Sequence, residues 1–211
     1  MDGERLELFI LGMIVIVFSI ALHEFGHAIA ADRLGDPGPR QAGRITLWPV
    51  SHFDPFGFIM MCVTLWTGFG LGWGKPVMVN PRTFRNPRRD MVVVAVAGPV
   101  MNLILAVVFG LAARVMIQTE SLPEGTFGTL IKLFVYINLG LMFFNLIPVH
   151  PLDGGKILSG LLPRDMSERF DGFMWQWGPL LLLTACLSGS GIVGSIISPA
   201  TIQTYRLILG I

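Results

Sequence analysis

The sequence predicts an all-α polytopic membrane protein: a transmembrane helix bundle carrying a short membrane-associated β-hairpin and a re-entrant segment. Three observations predict it. Of the 211 residues, 53% are hydrophobic and 14% charged, against roughly 25% charged in an ordinary soluble domain. The apolar residues are gathered into runs long enough to cross ~30 Å of hydrocarbon. Lys and Arg crowd into some of the intervening stretches and are missing from another. A mean hydropathy of +0.66 leaves no room for a separate soluble domain. The expected organisation is one integral membrane domain over residues 1–211, with a core at 6–162 and C-terminal helices at 173–211.

Segment one, residues 6–31, spans the bilayer by length. It follows Met1-Asp2-Gly3-Glu4 rather than a basic region and has no small-residue cleavage site, so it is not a signal peptide. A stop at Asp32-Arg33-Leu34-Gly35 precedes a Gly- and Pro-rich stretch. Within that stretch, residues 43–48 alternate and carry β-branched side chains, which suggests a strand or hairpin. Residues 56–73 form a second apolar run with Gly57, Gly68, Gly70 and Gly72. A basic segment, 75–89, follows. Segment three is 91–117, segment four is 127–147, a short helix is expected at 156–162, and segment five runs over 174–197. Cys62 and Cys186 lie in apolar runs and read as small buried hydrophobes.

Charge placement sets the topology. Arg33, Arg40 and Arg44 precede the run at 56–73, and Lys75, Arg82, Arg85, Arg88 and Arg89 follow it. Both flanks are therefore cytoplasmic by the positive-inside rule. A run that begins and ends on one side reads as a re-entrant hairpin or broken helix, its backbone buried against protein, with a full span as the alternative. The loop at 118–125 has no Lys or Arg and falls outside. The ends of segments one and four and the start of segment three then share the cytoplasmic half. The basic run at 75–89 is an anchor beside anionic lipid; no nucleic-acid partner is implied. Trp48, Trp66, Trp73, Trp175 and Trp177 read as interfacial belt residues.

The chemistry begins at His23-Glu24-Phe25-Gly26-His27. On a helix the two histidines are four residues apart, so both imidazoles leave one face, a turn apart. That spacing suits two nitrogen ligands on one Zn²⁺, and Glu24 beside the first can act as general base. Polar groups at the bilayer centre cost ~2.5–3.5 kcal/mol each, so three of them at the end of a span point to function rather than accident. A catalytic zinc takes three protein ligands and keeps one open position. Asp153, after Pro148 and Pro151 and before Gly154 and Gly155, has two readings: third ligand, or N-cap of the helix that follows. The incomplete site favours the ligand.

His23-Glu24-Phe25-Gly26-His27, Ala97-Gly98-Pro99-Val100-Met101-Asn102 and Asn145-Leu146-Ile147-Pro148 through Pro151-Leu152-Asp153-Gly154-Gly155 together resemble the signature set of the site-2 protease family, the intramembrane zinc metallopeptidases. The resemblance covers 6–162 and implies His23, His27 and Asp153 as ligands of one Zn²⁺ per chain, with Glu24 as catalytic base. It places Asn102 and Asn145 near the active site. The chain looks like a minimal member, without a PDZ-like insertion or a nucleotide-binding tail. Family members are multi-pass proteins, here implying the bacterial cytoplasmic membrane, with the active site towards the cytoplasm and transmembrane proteins as substrates.

The remaining polar residues have two readings each. Asn102 and Asn145 either glue helices, at ~0.6 kcal/mol on average, or hydrogen-bond an oxyanion or the substrate strand. His150 and His52 should not bind the zinc, because a fourth protein ligand would close the water position. A supporting position around the site suits His150, and turn structure suits His52. The expected function is hydrolysis of peptide bonds in or next to transmembrane segments, with substrate held by strand addition at 43–48. A prenyl-protein endopeptidase would need a downstream glutamate ligand and fits poorly. A non-catalytic membrane scaffold or metal-handling protein would have no need of Glu24.

Overall fold

The computed structural model describes residues 3–68, 70–187 and 191–211. The long helices α1 (Gly3–Arg33), α4 (Pro87–Gln118), α5 (Thr126–Asn145) and α8 (Ile192–Leu209) are each long and apolar enough to cross a membrane. Joining them are the short α2 (Gly38–Gln41), α3 (Pro55–Thr67) and α6 (Asp153–Leu161), and the longer α7 (Arg164–Leu187), whose first turns are polar.

Side-chain pairs give the helix directions. His23 meets Asn102 and His27 meets the Val94 carbonyl, so α1 and α4 run antiparallel. Asn102 meets Asn138, and Phe109 stacks on Phe134 with centroids 4.4 Å apart, so α5 runs antiparallel to α4. Small residues set these approaches. A Cβ on Gly26 would stand 2.7 Å from the Ala97 carbonyl oxygen, and such close backbone contact is how membrane helices gain packing energy. Ala106 and Ala113 of α4, Val135 and Leu139 of α5 and Leu209 of α8 form the main apolar core.

Because α1 and α4 are antiparallel, the chain between them begins and ends at one end of the bundle. The Lys75 N–H donates to the His52 carbonyl at 2.8 Å, closing a loop whose interior is the predicted re-entrant run. Pro55 stands in the first turn of α3, the Asp54 carboxylate accepts the Gly57 N–H at 2.7 Å, and Gly68 ends the helix at φ +79°. These are the usual starting and stopping devices. At its far end α3 is held by Arg5, which donates to the Trp66 carbonyl at 3.0 Å and lies 4.8 Å over the Trp66 ring. Residue 69 of the predicted run lies outside the described residues. After it, residues 70–80 return as extended chain towards Glu24.

Three expectations are overturned. The β-hairpin at 43–48 is absent: the described residues contain no strand. Gly43 sits at φ +65°, the Arg44 N–H donates to the Pro39 carbonyl at 2.8 Å, and the Thr46 hydroxyl takes the Trp48 N–H at 3.1 Å. The Arg44 guanidinium reaches the Ser51 and Lys75 carbonyls. Local turns and side chains thus satisfy groups that a ladder would have paired, and strand addition of substrate there falls with the strand. Nor is segment five one helix over 174–197. Helix α7 ends at Leu187, and α8 starts after Gly191 at φ +63°; residues 188–190 of that segment lie outside the described residues. The C-terminal helices also begin at Arg164 rather than 173, because the first turns of α7 are polar and escaped a hydropathy reading.

Candidate metal centre

His23 and His27 lie on consecutive turns of α1 and are both buried. Asp153 is the first residue of α6, delivered by the bend after α5. It does not cap that helix: the N-cap is Leu152, with no side-chain cap bond. The Asp153 carboxylate instead turns to the histidines. Its Oδ2 lies 3.2 Å from His23 Nε2 and 3.1 Å from His27 Nε2, and the two Nε2 atoms are 3.1 Å apart. The three donor atoms form a near-equilateral triangle. In a tetrahedral zinc site with bonds of ~2.0–2.1 Å, ligand atoms are separated by ~3.3 Å, so the triangle matches one face of such a tetrahedron.

The chemistry of the donors also fits a cation. His27 Nδ1 lies 2.7 Å from the Val94 carbonyl oxygen, which can only accept, so Nδ1 carries the proton and Nε2 presents a lone pair. That lone pair faces Asp153 Oδ2, which is buried with no hydrogen-bond donor of its own. Two buried lone-pair atoms at 3.1 Å repel unless a shared proton or a metal cation lies between them. The other carboxylate oxygen, Asp153 Oδ1, accepts from Lys156 Nζ at 3.1 Å. Helix α4 leaves the space clear. A Cβ at Gly98 would stand 2.7 Å from His23 Cε1 and closer still to His27 Nε2.

The triangle opens into a cavity of about 590 Å³ lined by Glu24, Asn102, Asn145, Lys156, Trp175 and the returning extended chain at 71–74 and 76–79. Glu24 is on the helix beside His23, and its Oε2 accepts the Val77 N–H at 2.9 Å. Asn102, fully buried, contacts His23 Nδ1 through Oδ1 at 2.6 Å. Asn145 lines the cavity while its Nδ2 donates to the Leu141 carbonyl of its own helix at 2.9 Å.

The other two histidines lie apart from the triangle. His150 Nε2 pairs with Asp171 Oδ1 at 3.0 Å, and the ring stacks on Trp175 with centroids 5.0 Å apart. His52 Nε2 meets the Thr46 carbonyl at 3.1 Å. Sequence reasoning missed Asn138, Ser19, Lys156 and the Val77 amide. Asn138 had a signal: an amide in the middle of an apolar run, seven residues and two helical turns before Asn145. The Val77 amide had none, since a backbone donor leaves no mark in side-chain chemistry.

A sequence model of "Peptidase family M50" matches residues 111–185. YwhC of Bacillus subtilis (strain 168), provisionally named a zinc metalloprotease, is 39% identical over 161 residues, covering 74% of this chain and 71% of the relative. Rip2 of Mycolicibacterium smegmatis, also provisionally named a zinc metalloprotease, is 30% identical over 182 residues, 85% of this chain and 68% of the relative. Stage IV sporulation protein FB of Bacillus subtilis is 33% identical over 98 residues, 46% of this chain and 31% of the relative. The chain belongs to peptidase family M50. No solved structure matches it.

Proposed function

We propose that the protein is a zinc-dependent intramembrane endopeptidase that hydrolyses peptide bonds in or next to transmembrane segments of other membrane proteins. The observation that carries this reading is the triangle of His23 Nε2, His27 Nε2 and Asp153 Oδ2, with edges of 3.1–3.2 Å, beside Glu24 in a cavity. His23, His27 and Asp153 would hold the ion. When bound, Zn²⁺ supplies Lewis acidity, lowering the pKa of water towards ~7 and polarising a carbonyl.

The chain's own groups do the rest. Val77 occupies Glu24 Oε2, leaving Oε1 to take the proton of the attacking water. As the water oxygen adds to the scissile carbonyl carbon and the C–N bond breaks, Glu24 returns that proton to the departing amine. Asn145, on the cavity wall, is positioned to hydrogen-bond the substrate backbone. Substrate must arrive locally unwound, because helical carbonyls are already hydrogen-bonded.

The four apolar helices and the family make this a multi-pass membrane protein. We further read residues 6–162 as the peptidase core and the helices from Arg164 onward as its support. The orientation puts the ends of α1 and α5 towards the cytoplasm of a bacterial cell, with lipid and a transmembrane protein as partners. The basic residues on both flanks of α3 support that orientation. Substitution Glu24→Gln tests the reading. It should retain one zinc per chain and lose cleavage of a reconstituted transmembrane substrate, by ~100-fold or more for a general base. Undiminished cleavage by the variant would overturn it.

A further inference from the structure

We infer that Asn138 is a positioning residue that fixes the tautomer of His23 through Asn102, and so presents His23 Nε2 to the metal as a lone pair. Ser19, Asn102 and Asn138 come from α1, α4 and α5, and all three are fully buried. An amide can be turned over end for end, so its direction has to be argued from partners that have only one role. The Phe134 carbonyl is such a partner. It can only accept, and it lies 2.8 Å from one terminal atom of Asn138, which must therefore be Nδ2. The other proton of that amide goes to Ser19 Oγ at 2.8 Å.

Asn138 Oδ1 then faces Asn102 at 2.9 Å, and an oxygen there requires a donor, Asn102 Nδ2. The Ser19 carbonyl, 3.4 Å from the same nitrogen, is a second acceptor-only partner in agreement. Asn102 Oδ1 is left facing His23 Nδ1 at 2.6 Å, and only a protonated Nδ1 satisfies it. The proton is assigned by a chain that starts at a backbone carbonyl in α5 and ends at the imidazole. Fixing a ligand's tautomer through its second nitrogen typically matters 10–100-fold in metal affinity. A bare interhelical hydrogen bond would be worth only ~0.6 kcal/mol, and only to stability.

The inference rests on the zinc reading above, and its test separates the two. Zinc-free full-length protein, ¹⁵N-labelled at histidine in lipid bilayers above the imidazole titration, should show His23 protonated at Nδ1. A wild-type His23 protonated at Nε2 would overturn the inference whether or not any variant folds. Asn138→Leu, close in size, should mix the two tautomers and weaken zinc binding about tenfold in chelator competition. Ser19→Ala, which leaves the Phe134 anchor, should stay within about twofold of wild type. An Asn138→Leu protein that melts lower but binds zinc as tightly as wild type would reduce Asn138 to helix glue. Wild-type protein that binds no zinc at all would overturn the metal reading instead.

Discussion

Val77 donates its backbone N–H to Glu24 Oε2 across 2.9 Å, so the expected base is held by the extended chain that lines its cavity. An amide on a carboxylate fixes its rotamer and directs the free oxygen inward. Proline at Val77 would remove the donor without altering any metal-ligating atom. Val77→Pro should lower kcat at least ~10-fold, since a hydrogen bond to a charged group is worth ~1.5–3 kcal/mol, while zinc content stays at one per chain. Val77→Ala keeps the N–H and should cleave normally. Equal loss in both variants would mean that the Val77 side chain, not its amide, matters.

Gly98 tests the metal triangle from the side. A methyl there would lie 2.7 Å from His23 Cε1 and against His27 Nε2, so one of the imidazoles must move. In a helix interior Gly→Ala by itself favours folding by about 1 kcal/mol. Gly98→Ala should lose zinc affinity by at least ~10-fold, about 1.4 kcal/mol. A variant that binds zinc like wild type would show that neither imidazole ligates from its present position.

The motif at His23, Glu24 and His27 was legible because its geometry is local: four residues on a helix fix two side chains regardless of the rest of the fold. Asp153 was legible for a different reason, the chemical incompleteness of two ligands. What escaped reading depended on partners. Residues 43–48 alternate like a strand, but alternation cannot say whether a second strand exists to pair with, and none does among the described residues. Asn138 was passed over because the run around it reads as a span with or without it, and its partners Asn102 and Ser19 lie on other helices. The division of the last apolar region into α7 and α8 was blurred because hydropathy averages over a window.

The return of the chain after α3 has a topological consequence. Because Lys75 pairs with His52, residues before and after that loop belong on one face of the membrane. With Cys62 and Cys186 replaced by alanine, single cysteines at Gly38 and at Arg85 should both react with an impermeant thiol reagent from the cytoplasmic side alone. Reaction from opposite sides would make residues 56–73 a true crossing, which the antiparallel packing of α1 on α4 does not allow.

His150 distinguishes a joint from a ligand. Its Nε2 pairs with Asp171, whose other oxygen accepts the Ser159 hydroxyl at 2.7 Å, and its ring stacks on Trp175. These contacts tie the loop after α5 to α6 and α7, next to the cavity but away from the triangle. Phenylalanine at His150 would keep the stacked ring and lose the pairing with half-exposed Asp171. We expect His150→Phe to cost about 1 kcal/mol, a fall of ~2–4 °C in melting temperature for a chain of this size, with zinc content unchanged. His23→Ala, His27→Ala and Asp153→Ala should each do the reverse, abolishing zinc binding, because the two donors left do not make a three-ligand site. Zinc retained by Asp153→Ala and lost on adding His150→Phe would mean that His150 had left Asp171 to become the third ligand.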